Sequence, residues 1–211
     1  MNVLIVKLTS MGDLVQALPA LTDAHQAIPG IHFDWVVDEA FAEVPGWHPA
    51  VRNVIRTAHR RWRKTPGILG GGELPRFLKT LRATRYDAVI DAQTNLKSAL
   101  VTALARGPKH GPDRSSVREK PAHWAYHHHY QLEQNQLAID RWRQLFARVL
   151  GYPLPATAPG LASPCRAASI SLSGTGHQCQ LGEQILDRGT LEAIDCQGWN
   201  PGLPGAAHLG F

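Results

Sequence analysis

A chain of 211 residues that is 44% hydrophobic has enough apolar mass for one large packed domain, which argues against global disorder. Its 22 Lys and Arg against 17 Asp and Glu give a net charge of +5 and a pI near 9.4. That balance favours an anionic partner without choosing among nucleic acid, a phosphorylated small molecule and an acidic membrane surface.

Residues 2–7 (NVLIVK) open the chain as a buried strand. The apolar run inside it is too short for the core of a signal peptide, so a cytoplasmic protein is the simplest expectation. Residues 13–27 read as a helix with Leu14, Leu18 and Leu21 on one face, followed by a strand at 33–37 and a weaker one at 51–55. Residues 73–85 are a helix, 88–90 a buried strand, 96–105 another helix, and the segment GPKHG is strand-like. Residues 134–150 are the strongest helix, closed by Gly151. Strands of this length alternating with helices predict βαβ units and a parallel sheet, hence a doubly wound, Rossmann-like α/β domain over residues 1–155.

The texture changes after that domain. The last lysine is Lys120, the three cysteines (Cys165, Cys179, Cys196) all follow Pro164, and the final 47 residues carry eight glycines. The cysteine spacing suggests neither a disulfide framework nor a zinc site. No run approaches the roughly 18 apolar residues of a membrane span. Residues 156–211 therefore read as an irregular or disordered tail.

Ligands of doubly wound sheets bind beyond the carboxyl ends of the strands, which places the turn Thr9-Ser10-Met11-Gly12-Asp13 where function is expected. Gly12 permits close backbone approach, and Ser10 is suited to cap the following helix. Asp13 has two readings: a carboxylate that suits the helix dipole, or a general base that deprotonates a sugar hydroxyl. The absence of GxGxxG disfavours a dinucleotide.

No acidic residue occurs between positions 44 and 72, a stretch that holds Arg52, Arg56, Arg60, Arg61, Arg63 and Lys64. The cluster HRRWRK is tight enough to act as one surface for a multiply charged ligand, against the plain alternative of a solvated loop. Trp62 within it is a packing anchor, a stacking platform or a membrane-interface residue. The adjacent His127, His128 and His129 fan outward and suit a surface or loop-packing role better than a metal site. Lys97-Ser98, Arg114 and Arg118 are further candidates for the cleft edge.

Taken in order, VLIVKLTSMGDLVQALPALTDAHQAIPG, FDWVVDEAF, HRRWRK, YDAVIDAQ, LKSAL and KHGPD resemble the amino-terminal half of glycosyltransferase family 9. The SMGD turn marks the family, and RRWRK narrows the resemblance to the heptosyltransferases that add the first heptose of the lipopolysaccharide core. The resemblance implies the acceptor half of a GT-B fold. It implies inverting transfer of L-glycero-D-manno-heptose from ADP-heptose to Kdo2-lipid A, without a metal or other cofactor, at the cytoplasmic face of the inner membrane. It implies Asp13 as catalytic base, with Thr9, Ser10 and Gly12 holding the acceptor sugar or departing phosphate. Arg60, Arg61, Arg63, Lys64 and Arg118 would bind the acceptor's phosphates and carboxylates.

After Pro164 there is no lysine and no DTG-type turn to match the family's donor-binding half. The expectation is that this half is missing or out of frame and that the chain by itself is inactive. Two rivals remain open: a binding-only fragment for anionic glycolipid, and a small nucleic-acid-binding protein. The second is disfavoured because only Trp62 interleaves the cations and no nucleic-acid motif appears.

Overall fold

The computed structural model describes residues 1–62, 72–133 and 135–156. In chain order its elements are β1 (Asn2–Val6), α1 (Met11–Val15), α2 (Leu18–Ala27), β2 (His32–Asp38), β3 (Val51–Thr57), α3 (His59–Trp62), α4 (Glu73–Leu81), β4 (Ala88–Asp91), α5 (Leu96–Leu104), β5 (Lys109–Pro112), β6 (His128–Tyr130) and α6 (Ala138–Leu150). The strands form one sheet in the order β3-β2-β1-β4-β5-β6, with every neighbouring pair parallel. This is the doubly wound arrangement the alternation predicts. Its strand order reverses between β1 and β4, which opens a crevice at their carboxyl ends.

Side-chain alternation explains why the central strands read as continuous apolar runs. Val3 and Ile5 of β1 join Phe33, Trp35 and Ile90 on one face, packed by Leu14, Leu21, Leu145 and Phe146 from the helices. Leu4 and Val6 join Val36 and Val89 on the other face, under Trp62, Phe77, Leu81 and Val101. A sheet covered on both sides needs apolar residues at every position.

Several expectations are corrected. The single helix at 13–27 is two helices, because Pro19 has no N–H to give and its ring displaces the carbonyl four residues back, that of Val15, the last residue of α1. The helix expected over 73–85 ends at Leu81, since Arg85 bridges Arg106 and Tyr86 N donates to Arg106 O at 2.8 Å, which draws the chain into β4. The helix expected from 134 begins at Ala138; Asn135 and Gln136 lie in a turn whose Gln136 carbonyl accepts from Arg141 Nη2. Gly151 closes it in a left-handed conformation, φ +74°, as read from sequence. The histidine run lies at the surface as expected, but His128 and His129 are in strand β6, paired with His110 and Gly111, and not in a loop. The tail expected from residue 156 lies, apart from Ala156, outside the described residues.

One buried ion pair ties the two helices of the first face together. Arg143 Nε of α6 donates to Asp23 Oδ2 of α2 at 2.5 Å, with only 5% and 9% of the side chains exposed. Arg143 Nη2 also donates to Pro155 O, and Asp140 stands 3.6 Å from Nη1.

Candidate active site

The crevice at the switch point is built from four segments. Lys7 follows β1, Gln93 and Thr94 follow β4, Ser116 and Arg118 come from the loop after β5, and Arg141 and Trp142 come from the start of α6. Together with Asp13 they line a cavity of about 340 Å³. Asp13 supplies its carboxylate; Lys7, Arg118 and Arg141 supply cations. The cavity is therefore suited to an anionic ligand held beside one basic oxygen.

Hydrogen bonds between the turns hold this geometry. Gln93 Oε1 accepts from Leu8 N at 3.0 Å and from Thr9 N at 3.1 Å, joining the loops after β1 and β4. Beneath them Asp91, with no exposed surface, accepts from the Gln93 and Thr94 amides at 2.9 Å, from Ser98 Oγ at 2.8 Å and from Tyr126 Oη at 2.8 Å. Burial pushes its pKa up against those four donors. Thr94 sits at φ +61°, a conformation a β-branched residue rarely takes. It is held there by Asp91 and by Arg118 N and Glu119 N, which donate to its hydroxyl and carbonyl. Such over-determined strain is a mark of functional loops.

Asp13 takes the capping role and also faces the cavity. Ser10 N and Ser10 Oγ donate to its Oδ2 at 3.1 and 3.0 Å, which ties the amino end of α1 in a capping arrangement. Its Oδ1 has no partner among the described residues. Burial raises its pKa, but the two Ser10 hydrogen bonds, Lys7 and Arg118 outweigh that, so the carboxyl stays below the ordinary value and is ionised at neutral pH. Gly12 meets no constraint from the fold: a Cβ there would find no atom within 4 Å.

Lys7 lines the cavity and is the most deeply placed of the residues there that sequence reading did not single out. It is 2% exposed, its Nζ donates to Ala92 O at 2.8 Å, and the ammonium lies 4.2 Å from the centre of the Trp142 ring. Burial lowers its pKa to about 8 against the attraction of Asp13 and Asp91. The available signal was a lysine closing an apolar strand immediately before a polar turn. Gln93 and Thr94 gave a similar one after β4. Arg141 and Trp142 gave none, because α6, far along the chain from β1, delivers them.

The lowered pKa makes Lys7 a stability liability with a defined pH window. Between about 8 and the ordinary 10.5 the unfolded chain binds the extra proton, so this group's cost to folding is full below pH 8 and relieved as pH rises toward 10.5. Lys7→Met is therefore expected to raise unfolding free energy at pH 7 by about 1–3 kcal/mol in urea titrations. The advantage should shrink steadily above pH 8.

The expected basic cluster divides. Arg61 is ion-paired to Glu39 at 3.0 Å and Glu73 at 2.5 Å, and lines a separate groove of about 400 Å³ between β3 and α4. Glu39 and Glu73 already balance its charge within the protein. Trp62 is the packing anchor among its three readings: it is 9% exposed, lies against Phe77, and donates through Nε1 to Glu73 Oε2 at 2.8 Å. Arg60 lies in α3, and Arg63 and Lys64 lie outside the described residues. Lys97 does not line the cavity, and Ser98 is buried against Asp91. Arg114 is exposed on the loop that carries Arg118 and does not line the cavity. Among the described residues, no group of three or more His, Cys, Asp or Glu side chains is placed to hold a metal ion. No helix there is long and apolar enough to cross a membrane.

The family model for glycosyltransferase family 9 (heptosyltransferase) matches residues 74–180. The chain belongs to glycosyltransferase family 9. It is 45% identical to lipopolysaccharide heptosyltransferase 1 of Pseudomonas aeruginosa over 215 aligned positions, covering 97% of this chain and 61% of that protein. Against the Escherichia coli K12 protein of the same name the identity is 54% over 159 positions, covering 74% and 50%. The family 9 chain thus spans between about half and three-fifths of the length of these relatives. The family match runs past residue 155, where sequence reading ended the resemblance. Among solved structures, the E. coli heptosyltransferase WaaC with ADP-2-deoxy-2-fluoro heptose superposes with a TM-score of 0.73 at 52% identity, covering 75% of this chain and 51% of that one. E. coli ADP-heptose lps heptosyltransferase II, at 19% identity and TM-score 0.57, shares the fold of this family 9 domain.

Proposed function

We propose that this domain is the acceptor-binding half of an inverting heptosyltransferase that moves L-glycero-D-manno-heptose from ADP-heptose onto Kdo2-lipid A. The observation that carries the reading is an ionised Asp13 facing a cavity lined by Lys7, Arg118 and Arg141. Support also comes from the relatives named lipopolysaccharide heptosyltransferase 1 and from WaaC holding an ADP-heptose analogue.

In this mechanism an acceptor hydroxyl gives its proton to Asp13 while its oxygen attacks the anomeric carbon from the face opposite the diphosphate. The new glycosidic C–O bond forms as the bond to the β-phosphate oxygen breaks. ADP leaves with the electron pair, and the configuration inverts. A carboxylate held below its ordinary pKa is a weak base at rest, but it is fully in the form that receives the proton. The hydroxyl becomes acidic only as its oxygen bonds to carbon, which is when Asp13 is needed. Lys7, Arg118 and Arg141 balance the acceptor's carboxylates. Thr9, Ser10 and the open face of Gly12 border the sugar. No metal cofactor enters the reading, and the enzyme works peripherally at the cytoplasmic face of the inner membrane.

The test uses this chain directly. A soluble Kdo2-lipid A analogue should bind saturably, and a nucleic-acid duplex should not. Replacing Arg60 and Arg63 together with alanine should weaken analogue binding by about tenfold or more, because each lost charge-assisted contact costs about 1.5–3 kcal/mol before screening. Added salt should narrow the gap between wild type and variant. Equal binding by both at low salt would return the cluster to a solvated face.

A further inference from the structure

A second electropositive site lies at the opposite pole of the sheet, where β4, β5 and β6 begin. It is a shallow pocket of about 470 Å³ lined by Arg85, Arg106, Gly107, Pro108, His127 and His128. Arg85 and Arg106 are placed side by side by an isolated parallel bridge ahead of β4 and β5. Arg106 Nη1 donates to Arg82 O at 3.4 Å, and among the described residues neither guanidinium has a carboxylate within ion-pair distance. The adjacent Asp87 does not line the pocket; its Oδ2 accepts from Asn2 N at 2.8 Å.

The rest of the pocket is held in place. His127 Nδ1 accepts from Lys109 N, so in its neutral ring the proton sits on Nε2 and is available to donate. The His128 ring stacks on His110 with centroids 4.7 Å apart. Gly107, at φ +145°, has no room for a side chain: a Cβ would stand 2.4 Å from Tyr86 O. The glycine is required by this close approach of the Tyr86 carbonyl, beside Arg106. Adjacent guanidiniums repel each other unless an anion bridges them, and two planar forks match the oxygens of one phosphate group.

We infer that this pocket binds a phosphate group, gripped between Arg85 and Arg106 and distinct from the crevice that holds Asp13. Soluble phosphorylated molecules and lipid headgroups both present this chemistry, so the test has two arms. Inorganic phosphate and pyrophosphate are titrated into the full chain while backbone amide shifts are followed by NMR. Saturable shifts are expected at Gly107, Lys109 and His127, and Arg85→Ala/Arg106→Ala should weaken them by about tenfold or more. In the second arm, the chain is floated with vesicles of phosphatidic acid or of neutral phosphatidylcholine. Flotation with phosphatidic acid alone, lost in the double variant, assigns the site to a headgroup; phosphate titration without flotation assigns it to a soluble ligand. Both side chains are exposed, so the variant should fold. Arg85→Glu, which reverses one charge, provides an independent check. The inference is overturned if phosphate gives no saturable shift and phosphatidic acid no flotation, or if either response persists unchanged in the variants.

Discussion

Asp13→Asn is expected to lower turnover by about 10²–10⁴-fold in an enzyme that joins residues 1–155 to a compatible donor domain, with acceptor KM nearly unchanged. The amide oxygen still accepts from the Ser10 amide, so the cap at the start of α1 survives. What it loses is the ability to take the proton. Steady-state kinetics with ADP-heptose and an acceptor analogue provide the measurement. The pH dependence adds an independent check. Because Ser10, Lys7 and Arg118 hold the carboxyl below its ordinary value, the wild-type rate should stay on its plateau down through the ordinary carboxylate range. The stability those contacts contribute is present above the unfolded pKa and is lost as pH falls through the folded one. A variant with near-normal kcat but lowered thermal stability would leave Asp13 with the capping role alone.

Asp23→Ala is expected to destabilise the domain by about 3 kcal/mol, measured as a shift in urea midpoint at constant slope. The substitution strands a guanidinium that is only 5% exposed beneath α2. The figure sits at the lower end of the range for breaking a buried pair because Asp140 and Pro155 O stay within reach of Arg143. The consequence reaches the crevice, since α6 also carries Arg141 and Trp142. Loosening α6 against α2 should weaken acceptor binding as well as the fold. Replacing both partners with apolar residues, Asp23→Leu with Arg143→Met, should recover much of the stability, because no charge is then left unpaired. If Asp23→Ala lowers the unfolding free energy by less than about 1 kcal/mol, the pair is not what docks the two helices.

Local pattern determined most of this architecture. The continuous apolar runs of β1, β2 and β4 require burial on both faces, and the alternation of strand with helix then leaves little but a parallel, doubly wound sheet. That topology places the turn after β1 at the switch point, so Asp13 was legible from its place in the chain as a residue of the crevice. Arg118 was within reach for the same reason, being on the loop after β5. What the sequence could not show was anything decided by contact between distant segments. The burial of Lys7, its pKa near 8 and its place over Trp142 depend on α6 folding back onto β1. Whether Arg61 stood free or paired depended on Glu39 and Glu73, which come from either side of it in the chain. The strand β6 was hidden because three histidines carry no apolar alternation; it forms because β5 offers an edge for it to pair with. Periodicity reports which face of an element is buried, but charge state and side-chain partners are set by what is packed against that face, and only the tertiary structure brings those atoms together.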